Sequence, residues 1–139
     1  MDIKKTSNLL IDFTVKRLAE IFGLIILFSG LLLLISLLSY SPDDPNFIFT
    51  ENRNINNYLG LRGSFVSDLF FQSVGLIAYL ITVTLIVTGI NIMRSKEFLL
   101  IIENLFFTTI YSIVGSLFLS HFYPKAFTLY INGNGGFIG

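Results

Sequence analysis

The sequence predicts an all-helical, polytopic membrane protein: three transmembrane helices, the start of a fourth at the C-terminus, and a cytoplasmic N-terminus. Three observations carry that prediction. Only 13% of the 139 residues are charged and 53% are hydrophobic, against roughly 25% charged in soluble domains. Mean hydropathy is +0.76. The apolar residues also gather into three runs long enough to cross a bilayer. Net charge is zero, so no global basic field is available to hold nucleic acid. The absence of cysteine excludes disulfides, thiolate metal sites and cysteine nucleophiles.

Residues 1–20 read as a cytoplasmic lead-in. Thr6, Ser7 and Asn8 are helix-cap candidates ahead of Leu9, Leu10, Phe13 and Leu18. Asp12, Lys16 and Glu20 follow at i,i+4 spacing, which predicts an amphipathic turn or two on the bilayer surface. Residues 21–39 form the first span. From Ile21 to Leu38 the chain would rise about 27 Å as a helix, close to the ~30 Å hydrocarbon core. The run is too long for a signal peptide, and Ser39-Tyr40-Ser41-Pro42 offers no Ala-x-Ala cleavage site.

Residues 40–68 read as an outer loop leading into a helix, and residues 69–93 as the second span, uncharged between Asp68 and Arg94. Residues 94–97 make a tight cytoplasmic turn, so span three, residues 98–120, should pack on span two as a hairpin. Residues 121–139 read as an outer loop and the opening of a missing fourth span, because Gly135-Gly136-Phe137-Ile138-Gly139 looks like a helix start.

Charge sets the orientation. Lys4, Lys5, Lys16, Arg17, Arg94 and Lys96 fall on one side, and Arg53, Arg62 and Lys125 on the other. Cytoplasmic loops carry the excess of basic residues, which places the N-terminus inside. Tyr40, Tyr58, Phe122 and Tyr123 lie near span ends, where aromatic side chains anchor.

Few residues qualify for chemistry. Asp43 and Asp44 are an acidic pair of the kind that does acid–base work or binds a hard cation. Their setting, Ser41-Pro42-Asp43-Asp44-Pro45, spells a rigid turn instead. Glu103 is the one acid inside a span, and an intramembrane acid is a functional hypothesis by default. Without a second ionisable partner deep in any span, it reads as an interfacial glutamate near Lys96. Asp68 and Gln72 are spaced to hydrogen-bond along one helical face. His121 stands alone and makes no metal site. No phosphate loop, H-E-x-x-H, C-x-x-C or G-x-S-x-G motif occurs, so no cofactor, metal or nucleotide site is expected.

Small residues are more informative. Gly23 and Gly30 lie seven apart in span one. Gly75, Ala78, Thr82 and Gly89 share a face of span two, and Thr108, Ser112 and Gly115 a face of span three. In lipid, where no hydrophobic drive brings helices together, such faces allow close backbone approach and van der Waals packing. These contacts are open to assignment within the chain or between copies.

Three stretches taken in order resemble the N-terminal four-span membrane domain of the FtsK/SpoIIIE DNA translocases. Leu37 to Pro45, with Pro42, Asp44 and Pro45, resembles that domain's exit from span one. Asn57 to Tyr79 is similar to its Asn-x-x-Gly-x-x-Gly-(x)4-Asp-Leu-(x)4-Phe/Val-Gly pattern, through Gly60, Gly63, Asp68 and Gly75. Gly135, Gly136 and Gly139 resemble the Gly-Gly-x-x-Gly opening of span four. The resemblance implies a septal anchor in the bacterial inner membrane that contacts lipid, copies of itself and other division proteins. The DNA-pumping ATPase of that family would lie outside these residues. The alternative from a different class is a small transporter or proton channel using Glu103.

Overall fold

The computed structural model describes residues 3–46, 54–124 and 133–139, with side chains described from Asn8 onward. Phe47 to Arg53 and Lys125 to Asn132 lie outside the described residues, and with them Arg53 and Lys125 of the charge comparison. Four helices follow one another: α1 (Ile3–Leu38), α2 (Gly60–Val74), α3 (Ile77–Ser95) and α4 (Leu99–Phe122). Three of them, α1 over Asn8–Leu38, α3 and α4, are long and apolar enough to cross a membrane. An α-helix suits that setting because it satisfies its own backbone hydrogen bonds.

The lead-in and the first span are not separate pieces. α1 runs unbroken for 36 residues, about 54 Å at ~1.5 Å per residue, well beyond a ~30 Å core. Nothing between Glu20 and Gly23 interrupts it. Proline is absent there, and a lone glycine inside a helix costs only about 1 kcal/mol. Thr14 and Ser29 return their hydroxyls to the carbonyls of Leu10 and Ile25, one turn back (2.9 and 2.8 Å).

The expected second span, by contrast, is divided. The uncharged run 69–93 breaks after Val74, so its first part belongs to α2 and the membrane-length helix is α3. The cause is Gly75, which adopts φ 61 and ψ −137, a region essentially closed to side-chain-bearing residues. The start of α2 at Gly60 lies within the segment expected to be loop. α4 covers nearly the expected third span, and the turn before it is tight: Lys96 takes a left-handed φ of 61° as its N–H donates to Ile92 O (2.8 Å).

α1 and α4 flank α3. α1 packs most extensively on α3, and α4 pairs with α3 and touches α2. The buried apolar cluster of Leu33, Leu37, Phe71, Val74, Ile77 and Ala78 sits where α1, α2 and α3 converge, at what is here termed the loop end. The Ser95–Phe98 connection marks the opposite, turn end.

Candidate functional site

At the loop end the chain leaves α1 and must return into α2 without leaving backbone groups unpaired. Pro42 occupies the second position of a turn closed by Asp44 N–H donating to Ser41 O (3.2 Å), a position that suits its fixed φ. The turn sends the two aspartates in opposite directions. Asp43 is exposed and Asp44 is buried. Asp44 Oδ1 accepts Asn56 N–H (2.9 Å) and Oδ2 accepts Asn57 N–H (2.8 Å). Both oxygens are thus engaged in tying the exit of α1 to the approach to α2. The pair is a structural turn, not an acid–base dyad.

Asn57 carries the tie inward. Its amide Nδ2 donates to Ser36 O (2.9 Å), and its Oδ1 accepts Leu59 N–H (3.1 Å). Ser36 Oγ donates to Gly63 O (2.7 Å) and Ser64 Oγ to Pro45 O (2.6 Å). A Cβ on Gly63 would overlap Asn57 Oδ1 and crowd Leu59 Cβ, so a side chain there would displace the Asn57 amide from its partners. Gly60, with φ 66, turns the chain into α2. One turn further on, Asp68 accepts from Tyr40 Oη (3.2 Å) and from Gln72 Nε2 (2.7 Å). Tyr40 therefore does not point outward as an interfacial anchor. Its ring packs edge-on against Phe71, 4.8 Å between centroids, while Tyr58 is exposed.

The break between α2 and α3 is repaired by residues 133–139. Gly75 N–H donates to Phe71 O (3.0 Å), Phe137 N–H to Gln72 O (2.6 Å) and Ile138 N–H to Ser73 O (3.0 Å). Ser116 Oγ of α4 donates to Val74 O (3.2 Å). On the other side of the break, Leu76 N–H donates to Asn134 O (3.0 Å). The last four carbonyls of α2 are all satisfied, which is the condition for interrupting a helix at membrane depth. Asn134 is fully buried and donates from Nδ2 to Tyr123 O. Gly136 lies against Ser73 and Gly75, and Gly135 and Gly139 lie against the Ser116 carbonyl.

Between loop and turn ends, α1 and α3 meet through glycine. A Cβ on Gly89 would stand 2.6 Å from Leu27 N and 2.7 Å from Gly23 O. One on Gly23 would stand 2.8 Å from Gly89 O, and one on Gly30 would be 3.0 Å from Ile86 N. The two helices thus touch backbone to backbone. Gly75 does not share this face, because the break removes it from α3. Ala78 and Thr82 are fully buried, and Thr82 Oγ1 donates back to Ala78 O (2.9 Å).

The α3–α4 seam is held differently. Asn104 Nδ2 donates to Thr88 Oγ1 (2.8 Å), and the hydroxyls of Thr84 and Tyr111 lie 2.8 Å apart. Of the small residues expected to pack on α4, Gly115 meets the Ile77 side chain and Ser112 is buried with its hydroxyl unpartnered. Thr108 bonds within its own helix, to Asn104 O (2.6 Å). Glu103 is exposed on α4. His121 is exposed too, edge-on to Phe122.

At the turn end Glu20 accepts from Arg17 (2.6 Å) and from Lys96 Nζ (2.9 Å). The Lys96 contact ties the middle of α1 to the α3–α4 turn, and Phe22 packs edge-on against Phe98 beside it. Among the described residues no group of three His, Asp or Glu side chains gathers to hold a metal.

Asn57 opens the Asn-x-x-Gly pattern noted in the sequence, but its place at the centre of the loop-end network, with Ser36 and Ser64, was not foreseen there. Ser36 does stand out in hindsight as the sole polar residue in an otherwise aliphatic stretch, Leu31 to Leu38.

This arrangement defines a multi-pass helical membrane domain whose polar side chains join helices and close loops. Over residues 15–139 the chain matches the family described as the 4TM region of DNA translocase FtsK/SpoIIIE, and it belongs to that family. It is similar to the DNA translocase FtsK of Rickettsia bellii, 36% identical over 78 residues, which are 56% of this chain and 10% of the relative. Against the DNA translocase FtsK of Azospirillum brasilense it is 29% identical over 112 residues, 79% of this chain and 17% of the relative. Against that of Rickettsia typhi it is 37% identical over 62 residues, 45% of this chain and 8% of the relative. The chain therefore spans under a fifth of the length of these relatives. No solved structure matches it.

Proposed function

We propose that this chain anchors a DNA translocase in the bacterial inner membrane at the division septum, with its N-terminus and the Ser95–Phe98 turn in the cytoplasm. The observation that carries the reading is the family match across residues 15–139, which falls on a chain holding three membrane-length helices. The basic residues of the lead-in and turn support the orientation. Motor activity and DNA contact belong, in this reading, to other parts of the translocase. The membrane domain supplies lipid attachment, self-association and contacts with other division proteins. The weakly covered face of α4, with Leu105, Phe106, Ile113 and Leu117 exposed, is available to lipid or to a second copy.

The test is to express the chain fused to a fluorescent protein in dividing cells of its source and image it. Enrichment at septa is expected. An even distribution around the membrane would contradict the septal assignment, and a soluble distribution would contradict the anchor itself.

A further inference from the structure

The crossing of α1 and α2 leaves a cleft beside the Ser36–Gly63 hydrogen bond. It has a volume of about 420 Å³ and is lined by Ser29, Leu32, Leu33 and Ser36 of α1 and by Leu59, Arg62, Gly63 and Val66 at the start of α2. That volume falls within the roughly 300–1,000 Å³ of small-molecule sites, which are likewise mostly apolar with a few polar groups. Along α1 the cleft extends from Ser36 to Ser29, about 10 Å of helix rise, inside the apolar run.

Its polar groups are divided sharply. Ser29 Oγ donates to Ile25 O (2.8 Å) and Ser36 Oγ to Gly63 O (2.7 Å), so both hydroxyl protons in the wall are already placed. Arg62, at the rim, is exposed and has no ion pair or hydrogen-bond partner among the described residues. Among the described residues no acidic side chain lines the cleft. Arg62 is thus, among the described residues, a cation without an acidic partner beside an apolar slot. The N-cap residue of α2 is Leu59, which has no side-chain acceptor to offer, and the partial positive charge of that helix end adds to the same rim.

The geometry points to a binding site for a single anionic glycerophospholipid. Its phosphate pairs with the Arg62 guanidinium, which suits phosphate through its fork of N–H donors. One acyl chain then lies beneath α2 along Leu32 and Leu33 toward Ser29. A net-anionic headgroup is favoured over a zwitterionic one because a choline or ethanolamine cation would meet Arg62 and the α2 N-terminus with no acidic side chain in the lining to offset it. The site rests on the proposed membrane anchoring, since it requires α1 and α2 to meet lipid.

The test uses the full chain in nanodiscs of phosphatidylcholine containing a minor fraction of phosphatidylglycerol, with the lipid retained on the released protein counted by native mass spectrometry. One phosphatidylglycerol per chain is expected to remain. Arg62→Gln should lower its occupancy roughly tenfold, the equivalent of about 1.4 kcal/mol, and Arg62→Lys should recover part of it. Val66→Trp, which fills the slot from a half-exposed position, should reduce retention of either lipid while helicity is unchanged. Equal retention of phosphatidylglycerol by the parent and Arg62→Gln, or no preference over phosphatidylcholine, would overturn the site alone. Extraction of the parent chain from native membranes by alkaline carbonate would overturn the anchor reading and the site together.

Discussion

Where α1 leaves the bundle, from Ser36 to Asp44, it is joined to the rest of the chain by hydrogen bonds. Asn57 donates to Ser36 O, Ser36 donates to Gly63 O, and Asp44 accepts two backbone N–H groups. Further down the same helix, at Gly23 and Gly30, α1 meets α3 with backbones in contact and, among the described residues, without a side-chain hydrogen bond across the seam. The difference follows from what each region must solve. Helices inside lipid already satisfy their backbones and gain nothing from hiding apolar surface, so closeness of approach is the available attraction. At the loop end the chain is irregular, and each buried N–H or C=O needs a partner supplied from elsewhere.

The comparison is broken most severely at the loop end. Asp44→Ala would leave the buried Asn57 N–H without an acceptor, at about 1–3 kcal/mol, while the N–H of the exposed Asn56 could turn to water. Unfolding of the purified chain in a detergent titration should shift by roughly 2 kcal/mol, and Asp44→Asn, which keeps one acceptor oxygen, should shift it less. A neutral Asp44→Ala would mean that the network is not what closes the loop.

In the glycine seam, Gly89→Val places a branched side chain against the backbones of Leu27 and Gly23, and overpacking of this kind costs about 1–3 kcal/mol. The sharper readout is proximity. Cysteines introduced at Leu27 and Ile86 of a chain that otherwise has none should cross-link efficiently in the parent and poorly with Gly89→Val. Undiminished cross-linking would show that the seam tolerates separation.

The smallest effect belongs to the turn end. Lys96 and Glu20 are partly exposed, and surface ion pairs contribute little. Glu20→Gln should leave the detergent midpoint almost unchanged while removing whatever dependence on salt concentration the parent shows. A large loss of stability would make this pair a principal fastening, contrary to the account.

How far the fold was legible follows from the same division. Hydropathy and length identify α1, α3 and α4, because a bilayer admits few alternatives to an apolar helix of sufficient length. The pairing of Gly23 and Gly30 with Gly89 is foreshadowed by spacing, since a seven-residue interval keeps small residues on one face. The break at Gly75 is not legible from the run itself. A glycine inside an apolar stretch is compatible with a continuous helix, and what permits the interruption is distant: Phe137, Ile138 and Asn134 supply the missing partners. Asp44 reads correctly as part of a turn, yet its acceptance of Asn56 and Asn57 depends on how the intervening segment folds back. Long-range pairing of this kind leaves no periodic trace in sequence.

In the proposed topology these helices anchor the chain across a membrane with both the lead-in and the Ser95–Phe98 turn inside. The most direct test labels single cysteines, placed at Ser7, Asn54 or Ser95 of the cysteine-free chain, with a membrane-impermeant maleimide in intact spheroplasts. Labelling is expected at Asn54 alone, with Ser7 and Ser95 labelled only after the membrane is opened. Labelling of Ser95 together with Asn54 in intact spheroplasts would place the turn end and the loop between α1 and α2 on one side of the membrane and contradict the proposed topology.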